Sequence, residues 1–118
     1  MSKDAKIYIS GPMSGLHREV YLRRFREAEK ELRGLGFRRI VNPINVWACR
    51  WPWLYRIIGY RLTLWYDIQL LKRCDAIYLL TNWELSKGAC REFDVACNYD
   101  LDLYKQNGEF IERIRHRV

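Results

Sequence analysis

Much is missing from this 118-residue chain, and each absence narrows what it can be. It has four cysteines, Cys49, Cys74, Cys90 and Cys97, but no C-x-x-C pair, which argues against a zinc ribbon. Its two histidines, His17 and His116, stand alone, so neither supports a metal site. The most apolar stretch, Trp51 to Trp65, is broken by Arg56 and Arg61. A membrane span needs about 20 mostly apolar residues, so none is expected. The opening Met1-Ser-Lys-Asp4 lacks an apolar h-region, and no secretory signal peptide is expected either. Repeats, linkers and low-complexity tracts are absent, which leaves one domain over 1–118.

Hydrophobic residues make up 49% of the chain, enough for a core. The net charge of +7 favours anionic partners, whether nucleotides, nucleic acid or acidic lipid, without choosing among them. Cys90 and Cys97 lie seven apart on one helix face, and buried, reduced thiols are the reading for the cysteines. With no signal peptide or membrane span expected, a reducing, cytoplasmic compartment is the expectation.

Lys6-Ile-Tyr-Ile-Ser10 reads as a first strand and Gly11-Pro-Met-Ser-Gly15 as a loop. Leu22, Phe25, Ala28, Glu29, Leu32 and Leu35 recur at helical spacing with charges between them, and Gly34 and Gly36 end that helix. Phe37 to Val41 is a second strand, stopped by Asn42-Pro43. The aromatic, basic stretch Val46 to Leu62, with Trp47, Trp51 and Trp53, gives no firm assignment. Leu64 to Leu71 is helical, Ala76 to Leu80 a third strand, Thr81 to Lys87 a loop and Gly88 to Asn98 a helix. Leu101 to Tyr104 is expected as a short edge strand and Phe110 to Val118 as a basic terminal helix. Strands alternating with helices imply an α/β fold. The expectation is a single-domain, Rossmann-like or flavodoxin-like three-layer sandwich with a mainly parallel sheet of four to five strands. Ligands of such sheets bind beyond the carboxyl ends of the strands, where Ser10–Gly15, Asn42–Asn45 and Thr81–Lys87 fall.

With a nucleotide as trial ligand, these loops supply a site. Gly11 and Gly15 let backbone approach a ligand, and Ser14 adds a hydroxyl. Ser86, Lys87 and the N–H groups near Gly88 offer a phosphate a hydroxyl, a cation and a helix start. Glu92, one turn inside that helix, leans back toward the same rim. From there it can attack a sugar carbon, as the nucleophile of a retaining glycosidase does. Asp67, in the helix ahead of the third strand, is the candidate proton donor to the leaving base. Tyr8 is the candidate partner that orients Glu92. Each residue alone has a plainer reading: Gly11–Gly15 as a turn, Glu92 as a solvated helix-start residue, Asp67 as a surface charge, Tyr8 as core, Asp75 as a turn residue. Spacing by itself leaves a nucleotide-sized anion site with catalysis open.

Taken together and in order, the segments resemble a known family. Ile7-Tyr-Ile-Ser-Gly-Pro-Met-Ser-Gly15, Asp67-Ile68, Cys74-Asp-Ala-Ile77 and Trp83-Glu-Leu-Ser-Lys-Gly-Ala89 with Glu92 are similar to the nucleoside 2-deoxyribosyltransferase superfamily, nearest to a small deoxyribosyltransferase-like branch. The resemblance implies that Glu92 attacks C1′ of the deoxyribose to give a covalent glycosyl-enzyme, that Asp67 handles the base and its proton, and that Tyr8 holds the nucleophile. A second base resolves the intermediate in the transferases, and water does so in the nucleotide N-hydrolases. The substrate-binding positions are then expected at Ser10, Gly11, Pro12, Met13, Ser14, Gly15, Asn42, Pro43, Trp83, Ser86, Lys87, Gly88 and Ala89. No cofactor or metal is implied. Where the transferases carry an acid, this chain has Ser86 followed by Lys87; the related deoxynucleoside monophosphate hydrolases have a serine there that helps hold the 5′-phosphate. A carboxylate repels a phosphate and a hydroxyl beside a lysine does not, so a nucleotide is expected over a free nucleoside. A homodimer or higher homo-oligomer is also expected, because the family borrows a residue from a neighbouring subunit and exposed aromatics need cover.

The Trp, Tyr and Arg of Val46–Leu62 have three readings: stacking on a nucleobase, a hydrophobic partner surface, or a membrane-surface segment. Two other functions stand behind the enzyme. One is a non-catalytic sensor of a nucleotide or NAD-like signal. The other is a nucleic-acid-binding module, motivated by the net charge and the tail Arg113-Ile-Arg-His-Arg117, for which a frayed solvated end is the plainer account.

Overall fold

The computed structural model describes residues 4–12, 16–45, 52–107 and 110–114, with backbone only at 52–58, 60–61, 63, 107 and 110–114. Strand β1 (Lys6–Ser10) is buried at every residue after the first, the mark of a strand covered on both faces. It is followed by α1 (Arg18–Gly34), β2 (Arg39–Val41), α2 (Pro52–Lys72), β3 (Ala76–Leu79), α3 (Lys87–Asn98), β4 (Asp102–Asn107) and β5 (Phe110–Ile114). The sheet order is β2-β1-β3-β4-β5. The first four strands run parallel and β5 runs antiparallel to β4. This is the single α/β sandwich expected from the alternating pattern. Successive strand residues point to opposite faces. Ile7 and Ile9 therefore pack on Phe25, Ala28 and Leu32 of α1, while Tyr8 joins Leu71 of α2 and Ala96 and Cys97 of α3 on the other face. The chain leaves β1 for β2 on one side and returns to β3 on the other, so the crevice at the carboxyl ends of β1 and β3 is the switch point where such sheets take ligands.

Several expected boundaries move, each for a local reason. Strand β2 starts at Arg39, because the Phe37 N–H closes α1 on the Leu32 carbonyl at 3.0 Å and the Gly36 N–H bonds the Arg33 carbonyl at 3.0 Å. That paired closure needs a left-handed residue, and Gly36 supplies it at φ +100°. Helix α2 is far longer than Leu64–Leu71: it begins at Pro52, where a proline's missing N–H is harmless, and is interrupted at Gly59 (φ 84°, ψ 169°). The expected edge strand Leu101–Tyr104 is an interior strand, Asp102–Asn107, paired on both sides. The expected terminal helix from Phe110 is overturned: Phe110–Ile114 is β5, which covers the edge that β4 would otherwise leave open. The positions 46–51 and 115–118, with Trp47, Cys49, Trp51 and His116, lie outside the described residues. No helix among the described residues is long and apolar enough to cross a membrane.

Candidate active site

Helix α3 buries Ala89, Glu92, Ala96 and Cys97, a stripe at helical spacing facing the sheet. Small residues at 89 and 96 let the helix lie close to the strands, and Glu92 is the one acid on that stripe. It is 6% exposed. Its two oxygens are held separately: the Tyr8 hydroxyl donates to Oε2 at 2.5 Å and the Ser10 hydroxyl donates to Oε1 at 2.7 Å. Tyr8 and Ser10 are two apart on β1 and so share the face that α3 covers. Asp67 occupies the matching position on α2, with Leu71 one turn on, and is 9% exposed. Its Oδ1 is buried and has no hydrogen-bond partner among the described residues. Helices α2 and α3 pack directly on each other, which brings the two acids together.

Desolvation governs this site. Each charge-assisted hydrogen bond contributes roughly 1.5–3 kcal/mol, while burying a carboxylate costs several. For Glu92 burial wins: the carboxyl is pushed from 4.5 up to about 7, against the lowering effect of the Tyr8 and Ser10 hydrogen bonds. Asp67 has no such donors. Burial first and the Glu92 charge second push it from 3.8 up to about 8. Burial, then the charges of Glu92 and Asp67, raise the Tyr8 phenol well above its ordinary value, so it stays a donor. Both acids of the pair are therefore pushed toward the protonated form, and Asp67 has no donor among the described residues to offset its burial. Among the described residues no ion pair reaches either acid, and no cluster of His, Cys, Asp and Glu is arranged to hold a metal.

Other expected site residues divide. Ser86 is the N-cap of α3, its Oγ accepting the Ala89 N–H at 3.2 Å. That bond uses a lone pair and leaves the Ser86 proton to be donated elsewhere. Gly88 and Ala89 form the first turn beside it, and Lys87 is exposed there. Ser10, one of the expected substrate-binding positions, donates to Glu92. Gly11 is required by packing: a Cβ there would lie 2.8 Å from Leu80 Cβ. Asn42 is engaged with the scaffold, donating to the Phe25 carbonyl at 3.2 Å and to Glu29 Oε1 at 3.0 Å and accepting from the Ile44 N–H at 3.3 Å. Pro43 is buried in the short helical turn that follows. Trp83 packs against Phe93, ring centroids 4.7 Å apart. Pro12 is half-buried after β1, and Met13, Ser14 and Gly15 lie outside the described residues. The Ser10–Glu92 contact was the missed one; strand alternation from Tyr8 carries the signal for it.

A family model for a domain of unknown function, DUF4406, matches residues 5–104. The chain belongs to the DUF4406 family. The matched span includes Tyr8, Ser10, Asp67, Ser86 and Glu92, so the whole constellation lies within the DUF4406 domain. None of the curated proteins compared matches the chain.

Proposed function

We propose that this DUF4406 domain is an enzyme that cleaves or exchanges the N-glycosidic bond of a (deoxy)nucleotide, with Glu92 as nucleophile at C1′. The observation that carries this reading is the carboxylate pair at the strand tips. One acid is oriented through both oxygens by hydroxyls, and the other is buried with an oxygen left for a ligand. Glu92 attacks C1′ as the bond to the base breaks, and Asp67 gives its proton to the leaving base. The glycosyl ester carries no charge, so the repulsion that helped keep Asp67 protonated vanishes and Asp67 becomes a base. It then takes a proton from water, or from an incoming base, whose attack on C1′ frees Glu92. The same residue serves as acid and then base, as balance over the cycle requires.

A phosphate-bearing substrate suits the free Ser86 proton and the exposed Lys87 at the start of α3. The resemblance to the deoxyribosyltransferases supports the same chemistry. A homo-oligomer is part of the proposal, supported by Leu62 and Trp65 exposed on α2. A reducing cytoplasm is part of it too, supported by the free thiols of Cys74, Cys90 and Cys97. Base release from a panel of nucleotides and nucleosides, followed by chromatography, tests the reading. Wild type should release base from at least one nucleotide and Glu92→Ala should not. Equal inertness of both proteins on every compound would remove the enzyme and, if calorimetry then showed a nucleotide bound equally by both, leave a sensor.

A further inference from the structure

Ser10 is 1% exposed, in a strand covered on both faces, where an alanine would fill the space nearly as well. Its hydroxyl instead reaches across from β1 to α3 and donates to Glu92 Oε1 at 2.7 Å. The Tyr8 hydroxyl takes the other oxygen. One donor leaves a carboxylate free to swing about its Cγ–Cδ bond; two donors on different oxygens fix its plane. They also leave one lone pair on each oxygen for a substrate. Among the described residues no cation offsets the Glu92 charge, so these two hydroxyls carry the stabilisation of the ionised form.

We propose that Ser10 is a positioning residue that fixes the plane of the Glu92 carboxylate and eases its ionisation. The role stands on geometry, and its consequence for turnover rests on the glycosidic reading above. Glu92 is faced by Tyr8 and Ser10 from β1 and by Asp67 from α2; Cys74, just before β3, acts on Tyr8. Tyr8 and Asp67 are unchanged in a Ser10 variant. Loss of the hydroxyl therefore leaves Oε1 buried without its donor and makes ionisation of Glu92 harder.

The test is the ionisation of Glu92 in ligand-free protein, followed through its side-chain carboxyl ¹³C signal and assigned with Glu92→Gln. In Ser10→Ala the midpoint is expected to rise by about one pH unit, a roughly tenfold loss of the charged form below the midpoint. Ser10→Thr keeps the hydroxyl and suits a strand, and its midpoint should stay at the wild-type position. If Ser10→Ala does not fold, Ser10→Cys, a near-isostere with a weak donor, should move the midpoint the same way by less. An unmoved midpoint in Ser10→Ala or Ser10→Cys overturns the proposal, as does an equal shift in Ser10→Thr, which would point to packing. Where base is released, the acid limb of the rate profile should follow the same order. Because the titration needs no substrate, an inert protein with the expected shift removes only the glycosidic reading. An active protein with an unmoved midpoint removes only the role of Ser10.

Discussion

The two ends of the sheet treat their acids in opposite ways. At the amino ends of the strands, the exposed Asp75 works as a staple. Its carboxylate accepts the Lys6 N–H at 2.9 Å, its own N–H donates to the Lys6 carbonyl at 2.7 Å, and its carbonyl accepts the Asp102 N–H at 3.0 Å. Three parallel strands are tied at one point, and the charge stays in water. At the carboxyl ends Glu92 and Asp67 are buried, the Glu92 charge acts on Asp67 with no ion pair to either among the described residues, and both are pushed toward the protonated form. A scaffold acid is placed where its charge is cheap. The acids proposed for chemistry are placed where ionisation is hard, and the folded state bears that cost.

Removing the proposed nucleophile breaks the comparison most sharply. Glu92→Gln should lower base release by about 10³-fold or more, while the protein unfolds at a higher temperature above neutral pH because a buried charge is gone. Asp67→Asn should lower base release by roughly 10²–10⁴-fold. It also tests the stability side. Both acids titrate higher in the folded state than the ordinary carboxyl values of 3.8 and 4.5, so folding takes up protons between those values and about 8. The stabilisation is full below the unfolded values and is lost as pH rises through about 7 and then about 8. Wild type should thus melt progressively lower from about pH 5 to about pH 8.5. Asp67→Asn should flatten that slope and melt roughly 5–10 °C above wild type at about pH 8.5. A steeper slope in the variant would reverse the assignment.

The rate profile sharpens the same point with a smaller effect. The proposed mechanism needs Glu92 ionised and Asp67 protonated, so activity should peak between about 7 and about 8 and fall on both sides. The two limbs belong to the pair, and Asp67→Asn should remove the alkaline limb from whatever activity is left. At the other end of the sheet, Asp75→Ala should cost about 1 kcal/mol in chemical denaturation through the lost Lys6 bond, with base release nearly unchanged. A matching loss of activity there would mean that the two ends are not separable.

Much of this was legible in the residues. Ile7 to Ser10 and Ala76 to Leu79 are too short and too apolar to be anything but covered strands, and the 3–4 spacing of α1 and α3 leaves little choice. The acid on the α3 stripe and the tyrosine opposite it were readable as a pair. Asp67 was harder, because its neighbours in sequence give no sign of which face of α2 meets α3; Leu71 one turn later is the clue. Asn42 and Trp83, expected as ligand contacts, also have scaffold partners that the sequence did not signal: Phe25 and Glu29 of α1 for Asn42, and Phe93 of α3 for Trp83. The C-terminal strand was illegible for another reason: Phe110–Ile114 has no decisive period, and the open edge of β4 decides its state.

The most direct test of the central claim is intact-protein and peptide mass spectrometry after incubation with a panel of 2′-fluoro-arabino nucleotides, which slow release of a glycosyl ester. The expected result is a sugar-phosphate adduct on the peptide carrying Glu92, absent in Glu92→Gln. Base release from natural nucleotides with no adduct on Glu92, or with the adduct on another residue, would contradict the account.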